Sequence, residues 1–239
     1  MTLLQACLNG PRRRSEHPRL PITPDEIAAE AVAVVAAGAQ ALHVHAKDAD
    51  GVDTLDALAV DRVMSAVRTA APGVPVGVTT GAWALPDPAD RVAAVRDWSA
   101  LPNFASVNWH EPGADEVAMA LLDRGIAVEA GLWHEAAIRA WLAFPHRHRC
   151  LRVLLEVDSP IGDGLAQAEA LVAALGTGAG QIPILLHGYG SAAWPVLTDA
   201  VRRGLDVRIG LEDALTLPDG SPAQGNAALV VAARALLPR

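Results

Sequence analysis

Short apolar segments alternate with longer amphipathic segments along the whole chain. The short segments are rich in Val, Leu, Ile and Ala, as buried strands are, and the longer ones repeat apolar residues at helical spacing. Glycine and proline separate many of these segments. The pattern predicts eight strands, at residues 3–8, 41–47, 74–80, 104–109, 126–132, 150–157, 184–187 and 206–211.

The first predicted helix has a complete start signal. Thr23 is a suitable N-cap, Pro24 suits the first helical position, and Glu26 can close a capping box, while Gly38 ends the helix. The stretch 221–224, Ser-Pro-Ala-Gln, has the same form and predicts a second capping box for a last helix that ends at Leu237. Further helices are predicted over residues 56–71, 88–99, 113–123, 134–143, 163–175 and 191–203.

This strict alternation determines the expected fold class. Strands joined by helices are typical of a parallel sheet. Eight such units in 239 residues favour a closed (β/α)8 barrel, the TIM barrel, over an open doubly wound sheet. Because no change of composition marks a linker, we expect one domain over residues 1–239.

Composition limits the partners and the compartment. The net charge is −8, and the one basic cluster, Arg12 to Arg14, is short, which argues against a nucleic-acid partner. We find no secretory signal pattern and no apolar run near the ~18 residues that span a bilayer. Cys7 and Cys150 lie in apolar segments typical of buried thiols in a reducing compartment. We therefore expect a soluble, cytoplasmic protein that binds no membrane.

The end of the second predicted strand carries the first candidate chemistry. His43 and His45 are two residues apart, so they share one face of a strand, and two imidazoles at a strand end form half of a metal site. The alternative is one histidine packed in the core and one hydrogen-bonded at the rim. His-x-His also occurs by chance, so the spacing by itself leaves both interpretations open.

The last strand supplies the missing carboxylate. Strand parity turns Arg208 and Glu212 into the barrel, as it does Glu129 on the fifth strand. A buried charge costs several kcal/mol unless it is paired or binds a metal. An Arg–Glu bridge across the barrel is one explanation. The other is that His43, His45 and Glu212 bind a divalent metal and leave a position open for substrate, which fits catalytic zinc.

Other polar residues lie at strand ends with the same inward direction. Reactive groups in such barrels collect at the carboxyl ends of the strands. Thr79, Ser106 and Asn108 are therefore candidate substrate-binding residues, and Arg12 is another on the first loop. Strands six and seven also present Arg152, Glu156 and His187 inward.

Two further motifs resemble functional sites without fitting them. The stretch 188–193 matches a dinucleotide fingerprint, but its acidic partner, Asp206, starts the next strand and does not end it, so we reject a nucleotide cofactor. The loop stays a possible contact for a phosphate or a thioester. His146 and His148 precede a strand, at the opposite end of the barrel, and we expect them in a solvated loop.

Three motifs together resemble the β-keto acid cleavage enzymes, a family of zinc-dependent (β/α)8 proteins. They are His-Val-His-Ala-Lys-Asp at 43–48, Thr-Thr-Gly at 79–81 and Arg-Ile-Gly-Leu-Glu-Asp at 208–213. The similarity covers nearly the whole chain. It implies that a β-keto acid and acetyl-CoA react to give acetoacetate and a new acyl-CoA, in a homo-oligomer.

The resemblance also implies roles for individual residues. His43, His45 and Glu212 would hold zinc, and Asp213 would be the general base, oriented by Arg208. Glu129 would lie near the reacting centre, and Thr79 would supply a small hydroxyl. Lys47 stands where the family usually carries arginine, and the chain is shorter than many relatives, so the resemblance does not define the substrate.

Two other functions stay open on the sequence. One is a metal-dependent hydrolase of the amidohydrolase type, although that class carries its His-x-His pair on the first strand. The other is a metal-binding barrel without catalysis. If Arg12 faces the substrate, its charge predicts a preference for β-keto acids with a neutral or anionic tail over those with an amino group. Arg12 contacting the phosphates of CoA, or pointing into water, are the alternatives.

Overall fold

The computed structural model describes residues 2–158 and 164–238. These ranges contain eight strands and eight α-helices in alternation. The strands are β1 (Leu4–Cys7), β2 (Ala41–Val44), β3 (Val76–Thr79), β4 (Phe104–Asn108), β5 (Ala127–Leu132), β6 (Arg152–Val157), β7 (Ile184–Gly188) and β8 (Val207–Ile209). The helices are α1 (Pro24–Ala37), α2 (Ala57–Ala70), α3 (Pro88–Asp97), α4 (Ala114–Asp123), α5 (Glu135–Ala143), α6 (Gly164–Leu175), α7 (Ala193–Arg203) and α8 (Asn226–Leu236). Position 163, predicted to begin the sixth helix, lies outside the described residues.

The strands form one parallel sheet that closes on itself. Their order is β7-β6-β5-β4-β3-β2-β1-β8, and each neighbouring pair is parallel. Asp206, just before β8, joins the two ends of this sheet: its N–H donates to Ile184 O at 3.0 Å, and its carbonyl accepts from Leu186 N at 3.0 Å. The predicted (β/α)8 barrel is confirmed. Across the described residues, each helix is too short or too polar to span a membrane.

The two predicted capping boxes have different outcomes. At the start of α1, Thr23 Oγ1 accepts from Glu26 N at 3.3 Å, and Glu26 Oε2 accepts from Thr23 N at 3.0 Å, so this capping box is confirmed. The prediction at Ser221 was wrong. Ser221 donates its hydroxyl to Asp219 Oδ1 at 2.6 Å and lies in a loop, and α8 begins after Gly225. The Asp219 carboxylate engages Ser221 locally, so the hydroxyl does not cap a helix.

Polar groups fill the amino-terminal half of the barrel interior. Glu129 on β5 accepts from Gln5 Nε2 at 3.2 Å and pairs with Arg152 Nε at 3.0 Å. The guanidinium of Arg152 also lies 5.2 Å from the ring centre of Phe104. Glu129 is fully buried, and burial raises the pKa of its carboxyl even though Arg152 lies beside it. These contacts form a polar layer beneath the mouth of the barrel.

The eighth strand is shorter than predicted because the chain turns at Gly210. The N–H groups of Asp213 and Ala214 both donate to Gly210 O at 2.9 Å, which ends the strand in a tight turn. A Cβ atom at Gly210 would overlap the backbone of Cys7 on β1, so only glycine allows this approach. The turn brings Glu212 to the mouth of the barrel, next to β1.

Candidate active site

The cavity at the carboxyl ends of the strands contains most of the predicted site residues. Its volume is about 410 Å³. His43, His45 and Glu212 line it together, which confirms that these three side chains meet. Four more of the predicted residues also line it: Thr79, Ser106, Asn108 and Arg208.

The two imidazoles and the carboxylate converge on one point. His43 Nε2 and His45 Nε2 are 3.1 Å apart, and Glu212 oxygens lie 4.0 Å from the first and 3.8 Å from the second. A tetrahedral zinc ion with bonds near 2.1 Å separates its ligand atoms by roughly 3.4 Å. Glu212 Oε2 is buried and has no hydrogen-bond partner among the described residues. The donor set and its spacing therefore fit a divalent metal.

Electrostatics keeps two of these donors, His43 and Glu212, in the forms that bind metal. Burial, the largest influence, lowers the pKa of His43 to about 3, so its imidazole is neutral at pH 7. Burial opposes ionisation of Glu212 as well. The guanidinium of Arg208, the largest of the opposing influences, overcomes this and holds the pKa of that carboxyl well below its ordinary value. A neutral imidazole beside an ionised carboxylate is the combination that binds a divalent metal.

A carboxylate behind His45 orients its ring. Asp53 Oδ2 lies 2.7 Å from His45 Nδ1, which directs the opposite nitrogen towards His43 and Glu212. Trp83 Nε1 donates to the same oxygen at 2.7 Å. Neither Asp53 nor Trp83 follows from the sequence pattern, because both lie in loops, where no periodicity marks which side chains meet.

Arg208 links the metal ligands to the predicted base. Its Nη2 atom lies 2.8 Å from Glu212 Oε1 and 2.8 Å from Asp213 Oδ1. Asp213 is fully buried beside the cavity, and its Oδ2 atom has no hydrogen-bond partner within the described ranges. One guanidinium therefore holds two adjacent carboxylates, so an Arg–Glu bridge and a candidate metal site coexist.

A second polar pair reaches the cavity from β6 and β7. His187 Nε2 lies 3.2 Å from Glu156 Oε2, and its Nδ1 lies 3.5 Å from Asp213 Oδ1. Burial disfavours the charged imidazole, but the hydrogen bonds to Asp213 and Glu156 raise the pKa of His187 above its ordinary value. Strand parity predicted that Glu156 and His187 point inward, but it did not show that they pair. Glu156 and Asp158 give the cavity an acidic side.

Three predicted residues lie outside the cavity lining: Asp213, which is buried beside it, Arg12 and Glu129. Arg12 donates to Glu212 O through Nε at 3.1 Å and pairs with Glu16 at 2.8 Å. Glu129 belongs to the polar layer below the cavity. The loop at 188–190 does reach the mouth, where Tyr189 lines the cavity.

The second His-x-His pair, His146 and His148, lies where the sequence predicts it, and Lys47 has a structural role. His146 and His148 are exposed on a 3-10 turn before β6, as expected of a solvated loop. Lys47 is buried, pairs with Asp53 Oδ1 at 2.6 Å and donates to Gly10 O at 2.6 Å. A single ammonium group therefore connects the loops after β1 and β2.

Fold and site together define a (β/α)8 barrel with a candidate metal centre at its catalytic end. The model of the beta-keto acid cleavage enzyme family matches residues 2–239, and the chain belongs to that family.

Two curated relatives are named 3-keto-5-aminohexanoate cleavage enzyme. The relative from Acetoanaerobium sticklandii is 23% identical over 244 residues, covering 95% of this chain and 88% of the relative. The one from Fusobacterium nucleatum is 24% identical over 243 residues, with the same coverage of 95% and 88%. Their names support an enzyme of this family.

Solved structures agree on the fold. A ternary complex of ObcA with a C4-CoA adduct and oxalate superposes with a TM-score of 0.74 at 19% identity, covering 91% of this chain and 63% of ObcA. This chain therefore spans a little under two thirds of ObcA. The 3-dehydroquinate dehydratase of Enterococcus faecalis has a TM-score of 0.62 at 13% identity, covering 87% of this chain and 88% of that chain.

Proposed function

We propose that this protein cleaves a β-keto acid in a zinc-dependent reaction with acetyl-CoA, giving acetoacetate and a new acyl-CoA. The convergence of His43, His45 and Glu212 in a cavity that also contains Arg208 carries the proposal. Family membership supports the reaction class. That ObcA was solved with a CoA adduct supports a CoA thioester as the second substrate.

Zinc bound by His43, His45 and Glu212 would act as a Lewis acid and stabilise the negative charge that develops when the β-keto acid loses its C2 proton. The ligand set supports zinc over magnesium, because two imidazoles and one carboxylate are typical of zinc and magnesium prefers oxygen. Three protein ligands leave a coordination position for the substrate.

Asp213 is the proposed base. Its Oδ1 atom is engaged by Arg208, while Oδ2 has no hydrogen-bond partner within the described ranges and is free to accept the C2 proton. The C2 carbanion then forms a bond to the acetyl carbonyl carbon, and the CoA thiolate leaves. Attack of that thiolate on the keto carbon breaks the C2–C3 bond, and the proton on Asp213 returns to C2 of acetoacetate.

Thr79, Ser106 and Asn108 are the proposed substrate-binding residues. Thr79 and Asn108 end the neighbouring strands β3 and β4, Ser106 lies two residues before the end of β4, and all three line the cavity. Asn108 Oδ1 accepts from Trp133 Nε1 at 3.1 Å, and its Nδ2 donates to Glu111 at 2.9 Å, so the amide is held in one orientation. Arg12 and Glu129, also predicted as site residues, would act from outside the lining.

The acidic side of the cavity changes the expected substrate tail. Arg12 pairs with Glu16, so its contacts give no support to a neutral or anionic tail. Asp158 and Glu156, the latter in contact with His187, line the cavity and would attract a cation or a hydrogen-bond donor. An amino-bearing β-keto acid therefore suits this cavity better. The name of the curated relatives, which contains an amino substituent, agrees with this preference.

The direct test is turnover by zinc-loaded protein on a panel of β-keto acids, with and without acetyl-CoA. Acetoacetate and a new acyl-CoA should form in equal amounts, and only when acetyl-CoA is present. Consumption of substrate at the same rate without acetyl-CoA would support a metal-dependent hydrolase instead. Zinc binding with no turnover of any substrate would support a barrel without catalysis. The cytoplasmic location and the homo-oligomer stay predictions.

A further inference from the structure

The two candidate histidine ligands are supported in different ways. His45 Nδ1 lies 2.7 Å from a carboxylate oxygen of Asp53. His43 Nδ1 is buried, with no hydrogen-bond partner in the described part of the chain. A hydrogen bond at Nδ1 selects the tautomer in which Nε2 keeps its lone pair, so the structure prepares His45 for metal and leaves His43 unsupported.

Asp53 is itself held by two further side chains. Its Oδ1 atom pairs with Lys47 Nζ at 2.6 Å, and its Oδ2 atom accepts from Trp83 Nε1 at 2.7 Å. An antiparallel bridge between Lys47 and Asp53 fixes the backbone of the loop as well. Asp53 is 7% exposed, so this ion pair is shielded from water and the carboxylate has little freedom to turn away from His45.

Trp83 holds the outer face of the same histidine. Its indole stacks on the imidazole of His45, with ring centres 6.0 Å apart and planes 19° apart. The indole occupies the space that a Cβ atom on Gly81 would need, so the Thr-Thr-Gly turn makes room for it. Trp83 is 48% exposed, which a residue serving only the core would not be.

We propose that Asp53 and Trp83 are positioning residues for the metal, which fix the tautomer and the ring plane of His45 through one shared carboxylate oxygen. Asp53 accepts a hydrogen bond from Nδ1–H of His45, and Lys47 keeps Asp53 in place. Trp83 restrains both the carboxylate and the ring. The inference rests on the metal site of the proposed function and is independent of the reaction that the site performs.

Zinc affinity, measured by competition with a chromophoric chelator, tests the proposal without any substrate. Asp53→Asn should weaken zinc binding by roughly 10–100-fold, the usual cost of losing an outer partner of a ligand histidine. Trp83→Phe keeps an aromatic ring but removes the indole N–H, and should weaken binding by a smaller factor. Trp194→Phe is the matched control, since it removes an indole N–H that donates to Thr216 O at 2.8 Å.

A double variant separates the Asp53–His45 contact from the ion pair. Asp53→Asn leaves the Lys47 ammonium without its carboxylate, which could itself weaken a cation site. Asp53→Asn/Lys47→Met removes that charge. Zinc affinity should stay low in the double variant if the hydrogen bond to His45 matters, and recovery to the affinity of the unchanged protein would overturn the role of Asp53.

Fluorescence supplies a second measurement that a purely structural role would not affect. Zinc binding at His45 should change the emission of the stacked Trp83, in the unchanged protein and in Trp194→Phe, and the change should be lost in Trp83→Phe. Zinc binding of equal strength in the Asp53 and Trp83 variants would overturn this inference and leave the proposed function standing. Failure of the unchanged protein to bind zinc would overturn both.

Discussion

At the scale of single residues, the site depends on charges that are buried in contact with one another. Arg208 lies 2.8 Å from both Glu212 and Asp213, so one cation pairs with two adjacent buried carboxylates. Removing one member of such a group leaves another uncompensated, which is why single substitutions here should have large effects.

The first residue-scale prediction concerns the metal. The purified protein should contain about one zinc per chain, the count for a mononuclear site. His45→Ala should lose most of it while the circular dichroism spectrum is retained, because the barrel is held by its apolar core. His146→Ala, at an exposed histidine, should keep all of the zinc. Metal analysis of the three proteins decides this, and full zinc retention in His45→Ala would refute the ligand assignment.

The second concerns proton transfer. Asp213→Asn keeps the shape of the side chain and removes the base, so turnover should fall by roughly 10²–10⁴-fold with zinc still bound. Arg208→Lys should also be costly, since a point charge replaces a planar group that contacts two carboxylates. Near-normal turnover in Asp213→Asn would transfer the role of base to Glu156, the other carboxylate beside His187.

Glu129 gives a third test, because the resemblance and its contacts point to different roles. A catalytic role would make Glu129→Gln lower turnover at unchanged stability. Its pairing with Arg152 and Gln5 instead predicts loss of stability, since Arg152 would be left buried without a charged partner, at a cost of about 3–5 kcal/mol. Thermal denaturation measured beside turnover separates the two.

At the scale of elements, the strand ends decide where side chains meet. The β8 strand ends in a turn at Gly210 that approaches Cys7 on β1, and Glu212 N donates to Cys7 O at 3.3 Å. The approach of these two strands therefore helps to place a metal ligand. An apolar strand pattern extends past this point in the sequence, which explains why the predicted strand was too long.

Gly210→Ala tests this contact. The added methyl would overlap the Cys7 backbone, and overpacking of this kind costs about 1–3 kcal/mol or more. We expect a lower melting temperature together with weaker zinc binding, because Glu212 would be displaced. Gly204→Ala is the control: it has a φ of 73° and nothing within 4 Å, so it should cost about 1–2 kcal/mol without affecting zinc. Unchanged zinc affinity in Gly210→Ala would contradict this account.

At the scale of the whole molecule, one cavity combines the proposed metal ligands and Arg208 with two further carboxylates, Glu156 and Asp158. The chain spans only part of ObcA, so the two cavities need not have the same walls. Substrate choice should therefore follow the charges of this cavity.

Kinetics with matched substrate tails tests that statement. An amino-bearing β-keto acid should have a higher kcat/KM than its carboxylate or alkyl counterpart, because Glu156 and Asp158 attract a cation. Glu156→Gln should reduce this preference about 5–30-fold, the equivalent of about 1–2 kcal/mol for one charge contact, whereas Glu135→Gln on the surface should leave it unchanged. Faster turnover of the carboxylate counterpart would restore the preference predicted from Arg12.

The alternation of apolar and amphipathic segments determined the barrel fold, because the spacing of apolar residues in each segment shows which face of the strand or helix is buried. Inward parity at strand ends then selected His43 and Arg208, since in a closed parallel barrel those positions must face one mouth. The same parity selected Glu212, but β8 ends before it, and the turn at Gly210 brings it to the mouth. Only the tertiary structure decided that Asp53 and Trp83 hold His45, and that Arg12 turns to Glu16. Such contacts depend on the path of loops and on side-chain rotamers, which follow no period in the sequence. Only the folded structure therefore shows them.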